Sequence, residues 1–163
     1  MSKLSILQGK IVTAPELIPL LHIWRFKGDK IVFTNGCFDL LHLGHIYYLS
    51  IAADLGNRLI IGLNTDLSTK NLKGEGRPIT DEKSRASILA ALFFVDAVIL
   101  FDEATPIDLI EFINPDVLVK GADYSIDQII GADSVINSGG TVKTIQFLPG
   151  YSTSTIEEKI KGL

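Results

Sequence analysis

Two histidines, His42 and His45, lie three positions apart with Gly44 between them, shortly after an apolar segment. That segment, 31–33, has β-branched and aromatic residues and is typical of a buried strand, whereas apolar positions from Leu41 onward recur with a nearly helical period. Side chains three apart share one side of a helical turn, and the unpaired N–H groups of a helix start attract phosphate. Glycine, which lacks a Cβ, would let an anion approach the backbone. The pattern predicts a phosphate site at a strand-to-helix junction.

A histidine pair at this spacing would suit a metal ion or a plain surface position equally well. No third ligand follows in the local sequence, and the single cysteine, Cys37, excludes a cysteine-cluster metal site and an intramolecular disulfide. We therefore expect no metal site built by the protein. The net charge of −4 gives no broad basic surface, so we expect no nucleic-acid partner and a strictly local anion site.

The composition indicates one folded domain. The chain has 163 residues, of which 47% are hydrophobic and 21% charged, enough for a full core. The first residues lack the apolar stretch and cleavage-like site of a signal peptide. The most apolar span, 88–101, is broken by Asp96 and is too short to cross a bilayer. We expect a cytoplasmic protein with no membrane insertion.

Short apolar segments alternate with helical patterns along the chain. We expect strands at 31–33, 58–64, 97–101, 116–120 and 141–148. We expect helices at 15–27, from 42 onward, and at 81–94, 105–114, 126–137 and 152–160. The polar, glycine-rich stretch 64–80 is expected to be a long loop. This alternation predicts an α/β fold, a Rossmann-like three-layer sandwich with a five-stranded parallel sheet, whose ligands bind beyond the carboxyl ends of the strands.

The domain organisation is expected to be simple. Residues 1–29 should form an N-terminal helical extension that packs on the domain, and residues 30–163 should form that domain. The chain is expected to be a single domain overall.

The segment 36–45, GCFDLLHLGH, resembles the signature of the HxGH nucleotidyltransferases, and more closely their cytidylyltransferase-like branch. This branch includes glycerol-3-phosphate cytidylyltransferase and the heptose 1-phosphate adenylyltransferases of lipopolysaccharide assembly. The resemblance covers nearly the whole chain from Lys30 onward. Further matching segments follow in family order: 64–66, Lys73-Gly74, Arg77-Pro78, the helix with Arg85, 119–124 and 152–154. Residues 30–163 would therefore be a nucleotidyltransferase domain.

Two features favour the heptose enzymes within this branch. VKGADY at 119–124 and GAD at 131–133 resemble the heptose pattern, and the stretch 148–154 lacks the Arg-Thr pair that the cytidylyltransferases carry. A cytidylyltransferase for glycerol 3-phosphate or a related alcohol phosphate is the alternative. A nucleotide-binding module without turnover is another. A flavodoxin-like or dinucleotide-binding module would carry a glycine fingerprint in place of His-Leu-Gly-His.

The resemblance implies attack by a phosphate oxygen of D-glycero-β-D-manno-heptose 1-phosphate on the α-phosphorus of ATP, giving ADP-heptose and pyrophosphate for lipopolysaccharide core synthesis. The nucleophile is already an anion, because the second pKa of a phosphate monoester is about 6. Catalysis then rests on positioning and on neutralising charge. Mg²⁺ would arrive with the triphosphate. The expected partners are ATP and a sugar 1-phosphate, and the expected assembly is a homodimer.

The resemblance also implies a role for individual residues. Those implied to be catalytic are His42, His45 and Lys73. Those implied to bind the nucleotide are Asn35, Gly36, Cys37, Phe38, Asp39, Gly44, Lys120, Gly121, Ser152, Thr153 and Ser154. Those implied to bind the sugar phosphate are Asn64, Asp66, Arg77, Arg85, Asp123 and Tyr124. Lys70 could close over the triphosphate or be a solvated loop charge.

Overall fold

A computed structural model describes residues 2–123 and 125–163. Its strands are β1 (Ile31–Gly36), β2 (Arg58–Asn64), β3 (Ala97–Phe101), β4 (Val117–Gly121) and β5 (Thr141–Ile145). They form one parallel sheet in the order β3-β2-β1-β4-β5. The helices are α1 (Lys3–Gln8), α2 (Ala14–Phe26), α3 (Leu43–Ala53), α4 (Asp66–Lys73), α5 (Glu82–Ala91), α6 (Ile107–Ile113), α7 (Ala132–Asn137) and α8 (Thr153–Lys161). The prediction of an α/β fold with a five-stranded parallel sheet is confirmed.

Helices cover both faces of the sheet, which is why its central strands are almost continuously apolar. Successive strand side chains point to opposite faces, so Val32 and Phe33 of β1 enter different cores. One core is filled by α2, α6 and α7, through Leu17, Leu21, Trp24, Ile110, Ile113 and Val135. The other is filled by α3 and α5, through Tyr48, Leu49, Ala52, Ala86 and Leu89. The result is the predicted three-layer sandwich.

The stretch 64–80 contains a helix, so the expectation of a long loop was wrong. Thr65 caps α4, because its hydroxyl accepts a hydrogen bond from the Ser68 N–H at 3.1 Å. Asp66 in the first turn and Lys73 in the last turn complement the helix dipole. Thr65 was therefore a local capping signal in the sequence, although the polar composition of the stretch suggested a loop.

The segment 126–137 is also not one continuous helix. A 3₁₀ turn (Ile126–Gln128) is followed by Gly131 at φ 86°, and α7 begins only after it. A side chain at Gly131 would be strained by this backbone and would meet Ile110 at 2.7 Å. The glycine thus lets the chain turn tightly against α6.

The residues before β1 contribute to the core. Leu17, Leu21 and Trp24 of α2 are buried beneath the sheet, and the N–H of Val12 donates to the Val98 carbonyl of β3 at 2.9 Å. These contacts support the proposal that residues 1–29 are an integral part of one domain. No helix within the described ranges, 2–123 and 125–163, is long and apolar enough to span a membrane.

If α2 is integral to the domain, Leu21→Ala should lower the free energy of unfolding by about 2–5 kcal/mol, because Leu21 is 3% exposed and truncation leaves a cavity. Urea unfolding followed by circular dichroism measures this. Ile23→Ala is the matched control on the same helix: its side chain is 48% exposed, and the change should stay within about 0.5 kcal/mol. Equal, small effects of both substitutions would show that α2 is only loosely attached.

Candidate active site

A cleft of about 430 Å³ opens at the carboxyl ends of β1 and β4. The strand order reverses between these two strands, and open parallel sheets bind their ligands at such a point. The cleft brings together ten of the residues implied by the sequence: Asn35, Gly36, Cys37, Phe38, His45, Asn64, Lys73, Lys120, Gly121 and Asp123. Tyr124 lies outside the described residues.

The two histidines lie at the N-terminus of α3, as predicted. His42 is the N-cap, and its ring stacks on that of His45 with centroids 3.8 Å apart and an interplanar angle of 22°. The His42 N–H donates to Nδ1 of His45 at 3.4 Å. This contact favours the tautomer in which Nε2 of His45 carries the proton and can donate it to a ligand.

Both imidazoles are in surroundings that disfavour their charged form. Burial lowers the pKa of His42. Burial, reinforced by the nearby His42 and Lys73, lowers the pKa of His45 to about 4. Both rings are therefore neutral at pH 7, and each can offer one N–H as a hydrogen-bond donor. The fixed positive charge of the cleft must come from lysine side chains and helix N-termini.

Gly44 lies in a more crowded place than the sequence suggested. A Cβ at this position would lie 3.0 Å from the His42 ring and 3.1 Å from the carbonyl oxygen of Tyr151. The space left by the missing side chain is therefore used by the protein, because the loop before α8 packs against the first turn of α3. We infer that Gly44 permits this packing rather than the approach of an anion.

The first turn of α8 lies beside the first turn of α3. Ser152 caps α8 through a hydrogen bond from the Thr155 N–H at 3.1 Å. Thr153 donates from Oγ1 to the carbonyl oxygen of Asp39 at 3.0 Å, and Ser154 is exposed in the same turn. Two helix N-termini are thus close together, and each favours negative charge.

Asp39 is buried and holds two loops together. Its Oδ1 accepts from the N–H and the hydroxyl of Thr80 at 3.0 and 2.8 Å, and its Oδ2 accepts from the Ile79 N–H at 2.8 Å. Arg77 adds an ion pair at 3.3 Å. Burial acts to raise the pKa of Asp39, but these hydrogen bonds outweigh it and keep the pKa below its usual value. We therefore assign this carboxylate to loop positioning rather than to the nucleotide.

The loop that contains Asp39, between β1 and α3, has an unusual backbone. Phe38 and Leu40, on either side of it, have φ values of 46° and 47°, in the left-handed region that side chains other than glycine rarely adopt. Such residues cost about 1–3 kcal/mol each and persist where the surroundings hold them. The strained turn positions Phe38, whose ring packs edge-on against His45 at 5.5 Å.

Arg85 is 1% exposed and does not reach solvent. Its NH1 donates to the carbonyl oxygens of Cys37 and Asn64 at 2.6 and 2.9 Å, and its Nε donates to that of Thr80 at 3.0 Å. Its NH2 pairs with Asp66 at 2.7 Å. Four of its five N–H donors are thus used inside the protein, so we propose a structural role for Arg85 in place of the expected contact with the sugar phosphate.

The other residues assigned to the sugar phosphate differ in their availability. Arg77 is engaged by Asp39 and Glu157 and is unsuited to a substrate phosphate. Asn64 is buried at the edge of the cleft, and its amide donates to Ser68 at 2.9 Å. Asp123 is exposed in the cleft wall. Of this set, Asn64 and Asp123 are positioned to meet a ligand.

The lysines near the cleft also differ in whether their charge is free to meet a ligand. Lys70 pairs with Glu75 at 3.0 Å on the surface, whereas Lys73 lies exposed at the end of α4 and lines the cleft. Lys120 also lines the cleft, at the end of β4. Burial lowers the pKa of Lys120 to about 8, against an opposing effect of Asp123 and Cys37.

Sequence reasoning missed two aromatic residues in the cleft. The Tyr48 hydroxyl is hydrogen-bonded to Thr34 at 2.7 Å, and burial raises its pKa. Phe147 lies over Gly121, where a Cβ would overlap its ring, and it faces Tyr48 at 6.1 Å between ring centroids. Signals were available, since Tyr48 is three positions after His45 on α3 and Phe147 closely follows β5.

This fold and this cleft define a nucleotide-binding α/β protein with a site suited to phosphates. The family described as cytidylyltransferase-like matches residues 33–159. The chain belongs to this family, which is one of nucleotidyltransferases.

Two curated proteins are similar to this chain over most of its length. The chain is 54% identical over 151 residues to "Bifunctional protein HldE" of Methylobacillus flagellatus, covering 93% of this chain and 31% of that protein. It is 58% identical over 134 residues to the protein of the same name from Citrifermentans bemidjiense, covering 82% and 28%. The chain thus spans about a third of the length of these relatives.

Two solved structures are similar. The lipopolysaccharide core biosynthesis protein from Thermoplasma volcanium GSS1 superimposes with a TM-score of 0.62 at 32% identity, covering 74% of this chain and 98% of that one. Pantoate-beta-alanine ligase from Francisella tularensis superimposes with a TM-score of 0.60 at 16% identity, covering 93% and 76%, and supports the fold alone.

If Arg85 is a structural crosslink, Arg85→Met should lower the free energy of unfolding by at least about 2 kcal/mol, since buried carbonyl oxygens would lose their donors. Urea unfolding measures this, with Lys83→Met, exposed on the same helix, as the control. Unchanged stability together with lost sugar-phosphate binding would restore Arg85 as a ligand of the substrate.

The His45 ring should titrate in the folded protein with a midpoint near pH 4. Its native pKa lies below the ordinary 6.5, so the unfolded chain takes up the proton first and stability falls as the pH drops from about 6.5 to 4. Proton NMR of the imidazole resonances, assigned with His45→Asn, measures the midpoint. A midpoint at or above 6.5 would mean that the ring is a cation near neutral pH.

Proposed function

We propose that this protein transfers AMP from ATP to D-glycero-β-D-manno-heptose 1-phosphate, giving ADP-heptose and pyrophosphate for the lipopolysaccharide core. The observation that carries the chemistry is the stacked pair of His42 and His45, set at one helix N-terminus beside another at the edge of the cleft. The choice of acceptor is supported by the resemblance of 119–124 and 131–133 to the heptose enzymes, and by the similar lipopolysaccharide core biosynthesis protein.

In the proposed reaction, an oxygen of the sugar phosphate attacks the α-phosphorus of ATP while the bond to the β-phosphate breaks. The pyrophosphate leaves with the electron pair of that bond. The nucleophile needs no deprotonation, since a phosphate monoester is largely a dianion above its second pKa of about 6. What the protein must supply is in-line positioning and stabilisation of charge on the transferred phosphorus.

The residues of the cleft can supply both. The neutral rings of His42 and His45 donate hydrogen bonds to phosphate oxygens, and the first turns of α3 and α8 add N–H groups. Among the described residues no carboxylate lies within ion-pair distance of Lys73, which lines the cleft, so its charge is available to the triphosphate. Donors fixed before the substrate binds require no reorganisation during the reaction.

The residues of this site fit a Mg²⁺ ion that is bound to the nucleotide rather than one held by the protein. Within the described part of the chain, no three His, Cys, Asp or Glu side chains converge on a point that could hold a metal ion. Asp123 is the acidic residue of the described cleft lining. Because Mg²⁺ keeps several waters and takes few protein carboxylates, we propose that it enters bound to the triphosphate, whose charge it partly neutralises.

We also propose, from the resemblance, that the protein works as a homodimer in the cytoplasm. Light scattering coupled to size-exclusion chromatography would give the mass of the assembly.

The function is tested by pyrophosphate release with each of the four nucleoside triphosphates against heptose 1-phosphate and glycerol 3-phosphate. We expect release with ATP and the heptose. His42→Ala and His45→Ala should each lower turnover by at least about a hundredfold, the effect of losing one preorganised donor. His22→Ala, exposed on α2, is the matched control and should turn over normally.

Other outcomes would change the assignment in different ways. Pyrophosphate release with CTP and glycerol 3-phosphate would support the proposed mechanism but show that the proposed substrates are wrong. Near-normal turnover in both histidine variants would contradict the mechanism. No release in any pairing would indicate a binding module.

A further inference from the structure

The cationic side chains around the cleft are unequally available. Most of them are already neutralised within the described residues: Arg77 by Asp39 and Glu157, Arg85 by carbonyl oxygens and Asp66, and Lys70 by Glu75. The cations that remain in the cleft lining are Lys73 and Lys120. The proposed reaction brings together the phosphates of two substrates, ATP and the sugar 1-phosphate. Each of these two lysines could therefore bind the phosphate of a different substrate.

Lys120 approaches the cleft from the side of the sheet opposite α3. On β4, Val119 packs in the core with α3, and Leu118 packs in the core with α2 and α6. Because strand side chains alternate, Lys120 starts on the α6 face. Its stem there borders a small cavity with Pro106 and Ile129.

The ammonium of Lys120 has little to neutralise it. Its Nζ lies 3.5 Å from the carbonyl oxygen of Asn35 at the end of β1. Across residues 2–123 and 125–163, no carboxylate lies within ion-pair distance of it. Burial makes the ammonium form less favourable than it is in water, in keeping with the lowered pKa of Lys120. A bound anion would supply the missing partner and favour the ammonium form.

The geometry also indicates which anion this is. The histidines on α3, the N-terminus of α8 and the Lys73 charge that lowers the pKa of His45 are grouped together, and this grouping suits the triphosphate. In-line transfer requires the nucleophile to approach the α-phosphorus from the side opposite the leaving pyrophosphate. Lys120 reaches in from the other face of the sheet and is therefore the cation available to the second phosphate group.

We propose that Lys120 binds the phosphate of the acceptor sugar 1-phosphate and presents its oxygen to the α-phosphorus. This inference rests on the proposed function, and it moves Lys120 from the nucleotide to the acceptor. One oxygen–phosphorus bond forms and one breaks, pyrophosphate takes the electron pair, and no proton is transferred. Lys120 stays an ammonium throughout and contacts the nucleophile.

Steady-state kinetics with ATP and heptose 1-phosphate test this in three variants. Lys120→Met should raise the KM for the acceptor at least about tenfold, the effect of losing a hydrogen bond to a charged group, and leave the KM for ATP within about twofold. Lys120→Arg keeps the charge and should largely restore the acceptor KM. Lys143→Met removes an exposed lysine from β5, outside the cleft lining, and is the matched control.

The pH dependence adds a readout that a merely structural lysine would not give. An ammonium with a pKa of about 8 is lost as the pH rises, so the acceptor KM of the wild type should increase between pH 7 and 9. The titratable groups that share the cleft with Lys120 are Asp123, Cys37 and, on α3 and α4, His45, Tyr48 and Lys73. These remain in Lys120→Arg, whose acceptor KM should stay flat over the same range if Lys120 is the titrating group.

The outcomes separate this inference from the proposed function. If the wild type turns over but Lys120→Met raises the KM for ATP instead, or raises neither KM, the inference is overturned and the function stands. If the wild type releases no pyrophosphate, calorimetric titration with heptose 1-phosphate tests whether Lys120 binds this sugar phosphate. Binding that Lys120→Met weakens, while ATP binding stays unchanged, supports the inference without turnover. No binding of heptose 1-phosphate to the wild type overturns both.

Discussion

The buried guanidinium of Arg85 is the interaction on which the rest of the site depends. Carbonyl groups at the ends of parallel strands have lost their ladder partners, and a buried carbonyl without a donor is costly. Arg85 satisfies those of Cys37 after β1 and Asn64 at the end of β2, together with that of Thr80 before α5 and the carboxylate of Asp66. A planar group with five donors can serve several acceptors at once, which an ammonium cannot do as well. The walls of the cleft are fixed before any substrate arrives.

Around this fixed frame, hydrogen bonding and charge are separated. Burial keeps His42 and His45 neutral, so the rings can serve as oriented donors, while positive charge is left to Lys73, Lys120 and the helix N-termini. Asp39 is committed to the loop at 77–80 and so brings no free carboxylate against the incoming phosphates. In the proposed reaction, the phosphates would therefore bind without first breaking an ion pair of Lys73 or Lys120 among the described residues.

The fold was predictable because the strands carry their signal locally, as continuous apolar runs. The position of both histidines at the start of α3 was predictable because one strand-to-helix junction in the sequence holds them. α4 was missed because its apolar side chains, Leu67 and Leu72, are exposed, so no buried stripe marks the helix. The confinement of Arg85 could not be read from the sequence. Its partners are backbone carbonyls far along the chain, and any residue type can supply a carbonyl. Phe147 was missed because its place just after β5 does not by itself show that its ring lies over Gly121.

The pairing between the N-terminal residues and β3 has a consequence for association between molecules. The Val98 N–H and carbonyl are bonded to Lys10 and Val12, with a bridge at Ile11, so a short extended segment shields one border of the sheet. At the opposite border, β5 presents Lys143, a charged residue of the kind that discourages unwanted strand addition. Both edges of the sheet therefore carry features that disfavour pairing with strands of other copies. The segment before β1 thus protects against aggregation and also contributes to the core.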